Sequence, residues 1–305
     1  LFQGLAIEQL ETSYFWQPIM NLGNIFNNFI NNIAYLERIF ETMDEPVTVK
    51  DAKDAVEMPK ICGEVTFDHV NFSYDASKQI LNDVSFTVKP GESVALVGPT
   101  GAGKSTIVNL ISRFYNVNGG RVLIDGQDIS QVTIHSLREQ MGIMMQDSFI
   151  FSGDIEDNIR YGKLDATHEE IVKASRTVCA DEFISKMPDR YQTEVRERGS
   201  MLSQGQKQLI SFARTLLSDP AILILDEATS SIDVQTEKAL QTGLNAMLKG
   251  RTSFIIAHRL STIRNASLIL VMKDGKIIEQ GTHEELLKEG GFYSHLYNSQ
   301  FQAVS

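Results

Sequence analysis

The stretch SVALVGPTGAGKSTIVNL, residues 93 to 110, restricts the fold more than any other part of the chain. An apolar run typical of a buried strand leads into a glycine-rich loop, and a helical pattern follows. The loop fits G-x-x-x-x-G-K-[ST], in which backbone N–H groups surround phosphate oxygens and the helix dipole attracts the anion. We expect Lys104 to reach the β- and γ-phosphates and Ser105 to place its hydroxyl on Mg²⁺. The predicted phosphate-binding residues are Gly98, Pro99, Thr100, Gly101, Ala102, Gly103, Lys104, Ser105 and Thr106.

A second apolar strand, AILILDEA, ends in two acids. Two acids at a strand end are commonly just solvated, but behind a phosphate loop they predict a functional pair. Asp226 would hold the Mg²⁺ shell, directly or through water. Glu227 is a candidate general base for an attacking water.

Three more strand ends carry candidate ligands. His258 ends TSFIIAH, where ligands bind in this kind of sheet, and would donate to the γ-phosphate or orient the water. Gln146 follows MGIMM and would contact Mg²⁺ or the water. Tyr74 ends VNFSY, and spacing alone leaves adenine stacking and core packing equally open.

The stretch LSQGQKQ, residues 202 to 208, is a small-residue loop before another helical pattern. Ser203 and Gly205 offer a hydroxyl and a bare N–H at the positive end of that helix. Because the chain's own phosphate loop already surrounds one side of a nucleotide, this loop is predicted to serve the ATP of a second molecule. Two copies arranged head to tail would then enclose two ATPs.

Composition limits the classes of partner. Net charge is −11, which argues against nucleic acid as a partner, since phosphate backbones are held by Lys and Arg. The two cysteines, Cys62 and Cys179, lack metal-binding spacing and are predicted to be reduced. No run of 18 apolar residues appears in the sequence, so we expect this fragment to be soluble.

These motifs, in this order and spacing, resemble the ATP-binding cassette (ABC) family over about residues 63 to 300. GPTGAGKST, Gln146, LSQGQ, ILILDE, SSID and His258 would be its Walker A, Q-loop, signature, Walker B, D-loop and H-loop. TEVRERG, residues 193 to 199, and the leading segment PIMNLG…AYLERIFETMDE resemble the exporter branch. The resemblance implies that Tyr74 stacks on adenine and that Ser203, Gly205, Gln206 and Asp233 belong to the nucleotide site.

The resemblance also implies a fold, a partner and a location. The fold would be α/β, with a RecA-like, mostly parallel P-loop NTPase core, an antiparallel β subdomain and an α-helical subdomain, preceded by a long helix. The partners would be a second nucleotide-binding domain, identical or different, and the transmembrane domain of a transporter. The chain would lie on the cytoplasmic face of a membrane, hydrolysing ATP to drive export.

Two positions depart from the family pattern. Gln204 stands where the signature usually has glycine, although Ser203, Gly205 and Gln206 remain and we expect the loop to work. The D-loop is SSID rather than SALD, with Asp233 retained. Glu227 and His258 are both present, which argues against a degenerate half of an asymmetric pair.

The predicted organisation has three parts and a tail. Residues 1–45 would be the cytoplasmic extension of a last transmembrane helix, with helical pattern over 18–43, Pro18 in its first turn, and LFQG at 1–4 resembling a tag remnant. Residues 46–62 would be a linker, 63–300 the ATPase domain with a helical subdomain at about 150–215, and 301–305 a tail. The absent membrane portion favours a truncated chain.

Three other functions compete with an exporter motor. A soluble ABC ATPase of ribosomes or DNA usually has two cassettes or basic surfaces. A non-catalytic module that assembles on ATP would not need Glu227 and His258. An importer subunit would lack the leading helix.

Overall fold

The computed structural model describes residues 2–75, 77–145, 149–196, 199–226, 234–257 and 259–301. The chain divides into two compact units, residues 1–48 and residues 49–305. No helix within the described ranges combines the length and the apolarity needed to cross a membrane.

The first unit is one helix, α1, which runs from Phe2 to Met43 with Pro18 inside it. The prediction that Pro18 occupies the first turn is therefore wrong. Residues 5 to 17 contain neither glycine nor proline, so nothing in that stretch ends the helix. One proline removes a single helical N–H donor, which lowers the stability of the helix at that point.

In the second unit, the residues that the structure describes form two principal sheets. The larger has the strand order β12-β11-β3-β10-β9-β6, parallel except for the edge strand β12, and the smaller is antiparallel with the order β2-β1-β4-β5. A short hairpin pairs β7 with β8. The strands are β1 Val65–Phe72, β2 Leu81–Val88, β3 Ser93–Val97, β4 Gly119–Ile124, β5 Gln127–Asp128, β6 Met141–Met144, β7 Gly153–Asp154, β8 Glu194–Val195, β9 Ile222–Asp226, β10 Thr252–Ile256, β11 Leu268–Lys273 and β12 Lys276–Gly281.

The described residues of this unit form ten further α-helices, and four of them, α4 to α7, lie in the helical region predicted near residues 150 to 215. They are α2 Lys104–Ile111, α3 Ile134–Arg138, α4 Ile155–Arg160, α5 His168–Thr177, α6 Asp181–Ile184, α7 Gln204–Leu217, α8 Val234–Leu248, α9 Leu260–Asn265, α10 His283–Glu289 and α11 Phe292–Phe301. Capping boxes of Thr167 with Glu170 and of Thr282 with Glu285 begin α5 and α10, as expected where a threonine precedes a glutamate by three residues.

The parallel sheet is covered on both faces, which explains its unbroken apolar strands. On β3, Val94 and Leu96 pack into one core with the antiparallel sheet and α2. The alternate residues Ala95 and Val97 pack into the other core with the helical region. This arrangement confirms the predicted α/β fold with its two subdomains.

The predicted linker, residues 46–62, contains no helix or strand, but its second half is fixed to the body. Met58 and Ile61 are buried. The N–H of Ile61 donates to Oε1 of Gln140 at 2.8 Å, and the N–H of Met58 donates to Oγ of Ser136 at 2.8 Å. The compact unit therefore begins at Val49 rather than at residue 63.

Arg113, two residues after the end of α2, is the largest fully buried side chain among the residues that the structure describes. Its guanidinium donates to the carbonyl oxygens of Val132, Ser130 and Lys50, the last two at 3.1 and 3.2 Å. Arg113 thus ties the end of the phosphate-loop helix to residue 50, at the start of the body.

Replacing Arg113 should destabilise the fold. We expect Arg113→Ala to lower the free energy of unfolding by about 3–5 kcal/mol, because one buried and two partly buried hydrogen bonds to carbonyl groups are lost together with the packing of the side chain. Urea unfolding measures this, with Arg121→Ala as control, since Arg121 pairs with Asp68 at the exposed surface and should cost less than about 1 kcal/mol. Equal losses for the two variants would contradict the role given to Arg113.

Candidate functional site

Four neighbouring parallel strands lead into the predicted site residues at one edge of the large sheet. β3 ends at Val97, directly before the phosphate loop, and β9 ends at Asp226, directly before Glu227. β10 ends at Ile256, two residues before His258, and β6 ends at Met144, two residues before Gln146. In the sheet, Ile256 is paired with Leu96 and with Asp226, and Met144 with Leu225. The topology therefore brings together the ends of four strands that are distant in sequence, each of which precedes a predicted motif.

Gln146, Glu227, Asp233 and His258 themselves lie outside the described residues, so their roles remain predictions.

The phosphate loop has the glycine-dependent backbone that the sequence predicted. Gly98, Gly101 and Gly103 all have positive φ angles, at 147°, 79° and 103°. At Gly98 space is also restricted, because an added Cβ would overlap the carbonyl oxygen of Met272 on β11. The loop can therefore take this shape only with glycine at that position.

Lys104 begins α2 and holds the loop together. Its ammonium donates to the carbonyl oxygens of Gly98 at 2.7 Å and Pro99 at 2.9 Å. Burial lowers the pKa of Lys104, and the carboxylate of Asp226 acts in the opposite direction. Asp226 therefore lies close enough to influence the cation. The Ser105 side chain is exposed beside Lys104, as a ligand to a bound ion requires.

Tyr74 is oriented by contacts that the sequence analysis did not anticipate. Its hydroxyl lies 3.2 Å from Oγ1 of Thr106 and accepts from Nδ2 of Asn109 at 3.4 Å. Its ring meets the rings of Phe72 and Tyr115 edge to face, with centroids 4.8 and 4.9 Å apart. The ring is still 48% exposed, so a planar base can reach it.

Asn109 could have been found from the sequence. It lies three residues after Thr106 on α2, on the same side of the helix, and is polar within an apolar run. Thr106, predicted as a phosphate-loop residue, is buried, and its hydroxyl lies beside that of Tyr74.

The signature segment forms the start of α7, as predicted, and adds a capping box that was missed. The Ser203 hydroxyl accepts from the N–H of Gln206 at 3.2 Å, and the Gln206 side chain accepts from the N–H of Ser203 at 2.9 Å. Ser203 and Gln204 are exposed, whereas Gly205 is buried. The hydroxyl of Ser203 accepts in the cap, so its own proton is still available to an anion.

The segment that follows Gln146 and the TEVRERG segment lie against each other. β7, just after Phe151, pairs with β8, which lies within TEVRERG. Gly199, the last residue of that motif, lies so close to Ile150 that an added Cβ would be 3.1 Å from its side chain. The structure therefore joins two parts of the chain separated by about 40 residues in sequence.

A strand, a glycine loop and a helix arranged in this way, beside an acid at the end of a neighbouring strand, define a P-loop nucleotide-binding domain. The sequence profile described as "ABC transporter" matches residues 81–230. The chain belongs to the ABC transporter ATP-binding family, whose ATP-binding domains are ATPases.

Several relatives are similar over nearly the whole chain. The uncharacterised ABC transporter ATP-binding protein YknV of Bacillus subtilis is 53% identical over 95% of this chain and 48% of its own length. The fatty acid ABC transporter ATP-binding/permease protein of Mycobacterium bovis is 46% identical over 92% of this chain and 44% of its own.

A solved structure of a bacterial Atm1-family ABC exporter with ATP bound superposes with a TM-score of 0.81 at 42% identity. The superposition covers 94% of this chain and 50% of the exporter chain. The present chain spans about half the length of the relatives it matches.

Proposed function

We propose that this chain is the ATP-hydrolysing nucleotide-binding domain of an ABC exporter, acting at the cytoplasmic face of a membrane. The observation that carries the proposal is the convergence of β3, β9, β10 and β6 on one sheet edge, where each strand leads into a different nucleotide-site motif. A second, matching domain would complete each site through Ser203, Gly205 and Gln206.

The chain's residues have separate tasks in this reaction. The loop N–H groups and Lys104 bind the phosphates, and Tyr74 stacks on the adenine. Glu227 takes the proton of the attacking water, and His258 orients the water or donates to the γ-phosphate. Asp233 would contribute to the site near the boundary with the partner domain.

The residues present also fit Mg²⁺, which prefers oxygen ligands and near-octahedral geometry. Ser105 offers a hydroxyl, Asp226 a carboxylate and Gln146 an amide oxygen. When bound with ATP, the ion neutralises charge on the phosphates.

Export requires a surface that contacts the membrane-spanning portion. Phe149, Phe151 and Tyr161, which we call the aromatic patch, are 54%, 38% and 60% exposed. Phe151 contacts both other rings, with centroids 4.9 Å from Phe149 and 4.6 Å from Tyr161. Apolar rings exposed this close after Gln146 support a contact with the transmembrane domain, beside the TEVRERG hairpin.

Phosphate release tests the catalytic part of this proposal. We expect the chain to release inorganic phosphate from ATP with Mg²⁺, at a rate per chain that rises with protein concentration. If ATP binds but no phosphate appears at any concentration, the chain is an assembly module and not a motor.

The stacking role of Tyr74 has its own test. We expect Tyr74→Ala to weaken ATP binding by about tenfold, the loss of one base–aromatic stack. Tyr74→Phe keeps the ring and loses only the hydroxyl contacts, so its affinity should stay near that of the parent chain. Titration with a fluorescent ATP analogue measures both, and unchanged affinity in Tyr74→Ala would exclude stacking.

A further inference from the structure

One half-buried arginine connects the signature helix to the aromatic patch. Helix α7 is capped by Ser203 and carries Arg214 near its other end, about 16 Å along the axis at 1.5 Å per residue. It packs against α4, α5 and α8, so a displacement at its first turn would be transmitted along a rigid element.

The Arg214 guanidinium binds two separate parts of the segment that follows Gln146. Nη1 donates to the carbonyl of Phe149 at 3.0 Å, and Nε donates to the carbonyl of Asn158 at 2.7 Å. Nη2 donates to Oδ1 of Asn158 at 3.1 Å. The same group lies 5.4 Å from the ring centroid of Phe151 and 5.9 Å from that of Tyr161. Arg214 therefore contacts every residue of the aromatic patch.

Asn158 extends this connection. Its side chain accepts from the N–H of Phe151 and donates to the carbonyl of Phe151, both at 2.9 Å. It also donates to the carbonyl of Asp154, at the hairpin with β8. Gly162 lies directly against the backbone of α7, because an added Cβ at this position would overlap the carbonyl of Arg214. The side chains of Arg214 and Asn158 thus connect α7 to the aromatic patch and to the hairpin of β7 with β8.

The chemistry of the position favours a mechanical role over a purely stabilising one. Burial lowers the pKa of Arg214, and within the described ranges no carboxylate lies at ion-pair distance from it. An apolar side chain would avoid the cost of burying a charge. Only a planar guanidinium can donate to two carbonyls in fixed directions while stacking on two rings.

We propose that Arg214 is a positioning residue that transmits movement of the signature helix to the aromatic patch. The inference rests on the proposed function, because the movement begins when Ser203 and Gly205 engage the ATP held by the partner domain. Arg214 lies about 16 Å along α7 from Ser203 and acts through the helix, and its side chain determines how closely residues 149–161 follow α7.

Hydrogen exchange of the full 305-residue chain tests this, with and without Mg²⁺ and a non-hydrolysable ATP analogue. In the parent chain we expect the analogue to slow exchange both at the first turn of α7 and within residues 149–161. Arg214→Lys keeps the positive charge but loses the planar guanidinium and its several N–H donors. In this variant the slowing of exchange at the first turn of α7 should remain. The effect in residues 149–161 should fall by about tenfold, as loss of a charge-assisted hydrogen bond allows.

Arg176→Lys is the matched control, because Arg176 lies on the surface of α5 and pairs with Asp181. It should behave as the parent chain does. Tyr161→Ser, at an exposed position, removes one of the two stacked rings and should give a partial loss even if Arg214→Lys folds poorly.

The outcomes distinguish a failure of the transmission role of Arg214 from a failure of the proposed function. If Arg214→Lys and Tyr161→Ser both keep the full effect in residues 149–161, the transmission role is overturned and the proposed function stands. If the parent chain shows no effect at the first turn of α7 while the phosphate loop is protected, engagement by a partner domain fails, and the inference fails with it.

Discussion

Glu227→Gln should reduce ATP turnover by about 10²–10⁴-fold, the usual contribution of a general base. The amide keeps the size of the side chain but cannot accept a proton from the attacking water. ATP binding should persist, because the phosphate loop, Lys104 and Tyr74 are unchanged. Phosphate release and analogue titration, performed on the same preparation, separate these two effects.

The control for this variant is Glu289→Gln, an exposed position at the end of α10. Its turnover should equal that of the parent chain. If Glu227→Gln hydrolyses ATP at a near-normal rate, Glu227 is not the base, and a water activated by the phosphates themselves would have to replace it.

Lys104→Ala should weaken ATP binding so far that concentrations that saturate the parent chain no longer saturate the variant. Loss of a charge-assisted contact to phosphate weakens affinity by about 10–100-fold. The structure adds a second cost, because the Lys104 ammonium also holds the carbonyls of Gly98 and Pro99 in place. The variant should therefore show its main defect as a weaker affinity for ATP, and the loss of turnover should follow from that weaker binding.

The fold of Lys104→Ala should remain intact, because burial already disfavours the charge on this ammonium and lowers its pKa. Thermal unfolding checks this. Lys163→Ala is the control, since Lys163 pairs with Glu170 at the surface and should leave binding unchanged. If Lys104→Ala binds ATP as tightly as the control does, Lys104 does not contribute to nucleotide binding.

The parts of the fold that follow from local rules were predictable from the sequence. The phosphate loop is defined by glycines whose positive φ angles the pattern implies. The apolar strands β9 and β10 indicate a sheet covered on both faces, and Thr167 and Thr282 begin helices because their capping glutamates stand three residues on.

The parts that depend on burial of polar groups were not predictable. Arg113 and Arg214 bind backbone carbonyls, which are the same in every residue and leave no mark in a sequence. Residues 49–62 look like a linker because they are charged, yet Met58 and Ile61 pack into the body. Ser203 was assigned to a phosphate alone, although its pairing with Gln206 is itself a capping box.

The central claim is that each ATP is held by two chains facing in opposite directions, and a mixing experiment tests it directly. Lys104→Ala removes the phosphate loop's cation, and Ser203→Phe blocks the signature side with a bulky apolar group. Each variant alone should be inactive. In an equimolar mixture, half of the dimers contain one fully intact site, so turnover should recover to about a quarter of the parent value. A mixture that stays as inactive as its two components would contradict the claim.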